Sequence, residues 1–194
     1  MDHWRYYLHA WLLETFGRRP GALAGYRKAL ASRPDFHRAA NRLAYTLASL
    51  QRYEEAEPHF RAVLQRDPVN AVAHFNLGYT LDKRKRFEEA IVEFREATRL
   101  RPGLDRAWYG LGLALAALGR HQEAAAALHE AATLQPMNPH AWYALGMAHH
   151  ALGDAAKLKE VALHLVRFDP KMTRRLVQDS GATEIAYLVK DLVV

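Results

Sequence analysis

Histidine is the residue type with the most obvious chemical reach in this sequence: it occurs eleven times, against no cysteine at all. Without thiols there can be no disulfide, no thiolate metal site and no cysteine nucleophile. His149 and His150 are adjacent. Successive residues on a helix point about 100° apart, so this pair is badly placed to share one ion. No His-Glu-x-x-His array occurs, no glycine-rich phosphate loop and no Gly-x-Ser-x-Gly turn, so the usual frames for zinc, nucleotide and acyl chemistry are missing. The expectation is a non-enzyme with no catalytic residue, no metal ligand and no cofactor. What remains is chemistry of binding, carried by tyrosine, tryptophan, asparagine and arginine.

The elements that must position those side chains follow from a repeat. Prolines stand at 34, 68, 102, 136 and 170, a constant spacing of 34. A period of that size means a stack of supersecondary units. Other columns keep the register: small residues at Ala10, Ala44, Gly78, Gly112 and Gly146, alanines at 22, 56, 90 and 124, and bulky residues at Tyr26, Phe60, Phe94 and Leu128. Gly17, Gly119 and Gly153 share a further column. Apolar residues recur at three- and four-residue steps, as in Trp142, Leu145, Gly146 and His149, which is one face of a helix. The glycine column fits a left-handed residue that ends a first helix. Glu54-Glu55, Glu88-Glu89 and Gln122-Glu123 then place negative charge in the first turn of a second helix. Each period proline, lacking an amide hydrogen, ends that helix and opens the next unit. One pair cannot bury its own apolar face, so the pairs must stack.

These columns resemble the tetratricopeptide repeat. Trp108-x-x-Leu111-Gly112 and Trp142-x-x-Leu145-Gly146 fit the first-helix signature of that family, and the alanine, bulky and proline columns fit its second helix. The resemblance implies an all-α, right-handed α-solenoid of five helix-turn-helix repeats over 3–36, 37–70, 71–104, 105–138 and 139–172. The first unit departs most, with Tyr6 and His9 at signature positions, and the fifth carries Leu158 in place of a small alanine. Residues 173–194 read as a capping segment: Lys171 to Gln178 are expected to be helical, Asp179-Ser180-Gly181 to break the chain, and Ala182 to Val194 to form the capping helix, with Ile185, Leu188, Val189, Leu192 and Val193 on one side. By register His149 belongs to the inward column of Leu13, Leu47, Leu81 and Leu115, so it is expected to be a partly buried, hydrogen-bonded histidine.

In such a stack the first helices line a concave face, and the resemblance therefore nominates a groove. One groove column reads Tyr7, Asn41, Phe75, Tyr109, Tyr143. The column four residues on reads Trp11, Tyr45, Tyr79, Leu113, Met147. Residues four apart share a helix face, so Tyr7/Trp11, Asn41/Tyr45 and Phe75/Tyr79 are expected to form an aromatic strip. Arg38, Arg42, Asn76, Arg106 and His140 stand beside it. Arginine grips carboxylates with two bonds and asparagine pairs with peptide backbone. The expected partner is a protein or peptide segment carrying aromatic or aliphatic side chains and an acidic group. The family subtype that clamps chaperone C-terminal carboxylates is not matched. Its register falls on Asn41, Tyr45, Asn76, Arg106 and Gly110, where only Asn76 keeps its type.

Composition sets the outer limits. Half the residues are hydrophobic and a quarter charged, as in folded domains. The net charge is +6, with Arg and Lys interleaved with Asp and Glu along the chain. An acidic partner suits that balance. Basic residues do not concentrate in the groove, where Glu14 and Asp82 also sit, and this speaks against nucleic acid. No apolar run approaches the roughly 18–20 residues of a membrane helix. Met1 to Arg5 lead into no signal-like core. The expected location is the cytoplasm, with the periplasm also compatible. A self-assembling scaffold and an RNA-binding repeat are the alternative functions.

Overall fold

A computed structural model describes residues 2–190. Those residues form eleven α-helices and one 3-10 helix, with no strand. The chain divides after Leu100 into two compact units.

The first unit holds three helix pairs: α1 (Asp2–Thr15) with α2 (Arg19–Ser32), α3 (His37–Ser49) with α4 (Tyr53–Arg66), and α5 (Ala71–Lys83) with α6 (Phe87–Leu100). The second unit holds α7 (Asp105–Ala117) with α8 (His121–Leu134), α9 (Pro139–Ala151) with α10 (Ala155–Leu165), then α11 (Pro170–Ser180) and the 3-10 helix Thr183–Val189. In the third and fourth pairs the small column meets the bulky one. Gly78 lies under Phe94, and Gly112 lies under Leu128; both bulky side chains are fully buried. Close helix approach of this kind leaves no room for a side chain on the small residue.

The turn inside each pair needs one left-handed residue. Gly17, Gly119 and Gly153 take it with φ of 74°, 72° and 70°. The same column holds Gln51 and Lys85, which adopt φ of 60° and 59° without being glycine. The period sets the backbone there whatever the side chain. A Cβ in this region costs roughly 1–2 kcal/mol. Lys85→Gly is therefore expected to raise unfolding free energy by about 1 kcal/mol, measured by chemical denaturation.

The first helices are anchored to the loops before them. Trp108 and Trp142 each donate their indole N–H to the carbonyl of a period proline, Pro102 and Pro136, at 2.8 Å. His74 holds the equivalent position: its Nε2 lies 3.0 Å from the Pro68 carbonyl and its Nδ1 2.6 Å from Glu93. Asn70, Asn138, Asp154 and Asp169 cap the helices that follow them by accepting backbone N–H groups.

The segment 173–194 carries a break at Gly181, within the Asp179-Ser180-Gly181 sequence that marks one. Helix α11 starts at Pro170 and stops where Gly181 turns left-handed at φ 62°. The chain then continues as the 3-10 helix. Leu176 fills the space left by Gly146, whose absent Cβ would lie 2.9 Å from it, and Ile185 is fully buried. Leu192 and Val193 of the expected helix lie outside the described residues.

Candidate binding groove

In the first unit α1, α3 and α5 present one face together. An open depression of about 430 Å³ is lined by Tyr7 from α1, by Arg38, Asn41, Arg42 and Tyr45 from α3, and by Val72 and Asn76 from α5. Six of these seven residues are nominated by their columns. Val72 is not, although it shares the 34-residue column of Arg38 and Arg106; reading that column for apolar as well as polar types would have found it.

The two aromatic columns behave differently. Tyr7 leans inward, with its ring 5.2 Å from Phe36, 5.7 Å from Tyr26 and 5.7 Å from Trp4. Phe75 packs 6.1 Å from the buried Phe94. Trp11, Tyr45 and Tyr79 remain exposed, Tyr45 at 49 %. Tyr79 has Tyr53 at 6.3 Å and the Lys83 ammonium 5.1 Å from its ring centre. Tyr7 and Phe75 thus pack against neighbouring rings, while the rings of Trp11, Tyr45 and Tyr79 face water.

The arginines have internal partners of unequal claim. Arg38 lies over the Trp4 ring, 5.6 Å from its centre. Arg42 stands 3.6 Å from the Glu14 carboxylate. Glu14 is already held by the Tyr26 hydroxyl, which donates at 2.6 Å, and by the Thr46 hydroxyl, which donates at 3.0 Å. Burial, and after it the Glu14 carboxylate, push the Tyr26 phenol far above the usual tyrosine range, so it stays a neutral donor. Glu14 is therefore satisfied inside the fold. The Arg42 guanidinium, with five N–H donors and a half-exposed side chain, keeps capacity for an incoming carboxylate.

Arg106, Tyr109 and Tyr143 belong to the second unit. Tyr143 is engaged by α11: its hydroxyl donates to Asp179 at 2.5 Å, and Arg175 lies 5.1 Å from its ring centre. Burial and Asp179 push the Tyr143 phenol up, and the Tyr143 hydroxyl and Arg175 hold the Asp179 carboxyl below its usual range. Tyr109 packs against the buried cluster of Ala131, Ala132 and Ala141, and Arg106 is exposed. His149 is partly buried as its column implies, but its Nδ1 has no hydrogen-bond partner among the described residues.

Family models decide what these helix pairs are. Tetratricopeptide repeat models match residues 7–71 and 42–105, which together span just over half the chain, and further ones match 114–153 and 139–172. The chain belongs to the tetratricopeptide repeat family. Solved structures agree in fold. YrrB, described as a tetratricopeptide repeat protein with an unusual peptide-binding site, is 23% identical with a TM-score of 0.78, over 91% of this chain and 90% of its own. MamA 41-end from Desulfovibrio magneticus RS-1 is 21% identical with a TM-score of 0.78, over 93% and 97%. TTC0263, a thermophilic repeat protein of the same kind from Thermus thermophilus, is 21% identical with a TM-score of 0.65, over 93% and 100%. At this identity the likeness shows the fold, a helical solenoid of repeats. No curated protein matches the chain in sequence. Among the described residues no cluster of three or more His, Asp or Glu is arranged to hold a metal. None of the described helices is long and apolar enough to cross a membrane.

Proposed function

We propose that this chain is a non-enzymatic scaffold whose first-helix groove, in the N-terminal unit, takes an extended peptide segment of another protein. The observation that carries this reading is the depression where the exposed Tyr45 stands beside Arg38, Arg42, Asn41 and Asn76. Exposed aromatic rings next to arginine are the composition of binding hot spots. The segment it fits carries an aromatic or aliphatic side chain, for Tyr45 and Val72, and a carboxylate for Arg42. Asn41 and Asn76 suit its peptide groups. The peptide-binding description of YrrB supports the reading by analogy of fold.

The test is selection of peptides from a random library on the wild-type chain, followed by titration of the winners. Acidic, aromatic-containing sequences are expected. Tyr45→Ala and Arg42→Ala are each expected to weaken them tenfold or more, about 1.4 kcal/mol, while the helical spectrum and melting point stay nearly unchanged. Equal binding by both variants would remove the groove assignment.

A second reading, self-association, has its own observation. Leu8, Leu12 and Phe16 form an i, i+4, i+8 stripe that begins on α1, and all three are exposed, Phe16 at 80 %. A second copy covering this stripe would make the molecule grow with concentration in light scattering. A constant monomer mass leaves the peptide scaffold alone.

A further inference from the structure

The second helices carry a charge ladder, and its last rung is inverted. Arg27 of α2 reaches Glu55 of α4 at 3.1 Å, and Arg61 of α4 reaches Glu89 of α6 at 3.2 Å. Each rung spans 28 residues. Each glutamate is gripped from its other side by the arginine three residues before it: Arg52 holds Glu55 and Arg86 holds Glu89, both at 2.6 Å. One carboxylate thus sits between two cations. The next columns carry Arg95 and Glu123 at the same spacing. In the last rung the types change: His129 stands in the arginine column, Lys157 in the glutamate column and Asp154 in the flanking arginine column. Basic types now stand in both columns, where the two rungs of the first unit pair an arginine with a glutamate.

Space accompanies the inversion. A cavity of about 530 Å³ lies in the second unit between α8, the end of α9 and α10. It is open to solvent on one side: His129, His149, Asp154 and Lys157 are in its wall, with the buried Ala125 and the exposed Ala126 and Leu152 as its apolar lining. His149 itself replaces leucines that are fully buried in the matching positions, Leu47, Leu81 and Leu115. Asp154 does not fill the rung. Its carboxylate is committed to the N-terminus of α10, where it accepts the Lys157 backbone N–H at 3.1 Å, and it approaches the Lys157 ammonium only to 3.5 Å. That ammonium has three donors and a mostly exposed side chain.

We propose that this cavity binds a small amphipathic monocarboxylate, whose carboxylate bridges His129 and Lys157 in place of the absent glutamate and whose apolar body rests on Ala126 and Leu152. The size suits such a guest, since small-molecule sites begin at roughly 300 Å³ and place a few polar groups over an apolar floor. A carboxylate bonded to the Lys157 ammonium gains more than a neutral acceptor would. The site lies in the other unit from the peptide groove and does not depend on it.

The test titrates the full chain with benzoate and hexanoate, and with benzamide as the uncharged shape control. Binding is read from the ring C–H resonances of His129 and His149. Saturable shifts of both histidines with the acids, and binding of benzamide at least tenfold weaker, are expected. The double variant His129→Arg/Lys157→Glu restores the arginine and glutamate of the other repeats, while Asp154 stays where they carry a second arginine; it is expected to bind benzoate at least tenfold more weakly, with a helical spectrum like that of wild type. Tyr45→Ala is expected to bind benzoate like wild type. The proposal falls if neither acid moves the histidines, if benzamide binds as well as benzoate, or if the double variant leaves the affinity unchanged.

Discussion

Gly112→Val is expected to lower the unfolding free energy by about 3 kcal/mol, the upper part of the range for overpacked cores. A Cβ added at Gly112 would fall on the Leu128 Cγ and lie 2.8 Å from its Cδ2, with the Ala124 carbonyl oxygen at 3.3 Å. Leu128 is fully buried and has nowhere to go, so α7 and α8 must move apart. Helix propensity pulls the other way, because glycine inside a helix is disfavoured by about 1 kcal/mol against alanine. A clash this close outweighs that gain. Urea denaturation reads the loss. Adding Leu128→Ala opens the space again, and the double variant is expected to show a coupling of more than about 1 kcal/mol. At Gly103 an added Cβ meets nothing within 4 Å, so Gly103→Val is the control that changes stability little.

Glu57→Gln is expected to destabilise the first unit by about 2–3 kcal/mol at neutral pH. Glu57 is 7 % exposed. Its carboxylate accepts from Arg61 at 2.9 Å and from Arg86 at 2.7 Å, and it also pairs with Arg84. It ties α4 to the turn that joins α5 to α6. Removing one member of a buried pair costs roughly 3–5 kcal/mol; the arginines here are partly exposed and can recover water, which discounts the figure. Burial alone would push the Glu57 carboxyl up, but the guanidinium groups of Arg61 and Arg86 outweigh it and hold the carboxyl below the usual range. A depressed folded-state value means the carboxylate contributes its full stability above the unfolded value of about 4.3. That contribution is lost as pH falls through the folded value. The gap between wild type and Glu57→Gln should therefore be flat from neutral pH to about 5 and close below about 4. A gap that persists unchanged in acid would mean that shape and not charge is at work.

The two sites differ in how much of them a reader of the sequence could see. Gly112 and Leu128 fall in repeating columns, so their meeting follows from the period. Glu57 has no such support. The matching positions hold Leu23, Ile91, Ala125 and Lys159. The residue type alone says only that a charge stands where three of the other four units place an apolar side chain. Its three arginine partners come from two different segments and become visible only when α4 and the α5–α6 turn are brought together.

The nomination of a groove face came from the resemblance to the repeat family, while the 34-residue spacing by itself determined the helix pairs and the small and bulky columns. This works because each unit repeats the same packing problem, and the same residue types solve it. Tertiary structure decided which members of a column are available. Tyr7 and Tyr45 both stand in groove columns, yet Tyr7 is drawn onto Phe36 and Tyr26 while Tyr45 stays in water. Tyr143 shares the column of Tyr7 and is tied to Asp179, 36 residues away. Periodicity reports which face of a helix a side chain leaves from. Whether that face ends in solvent or against another helix depends on neighbours distant in sequence, and only the packed chain brings them there.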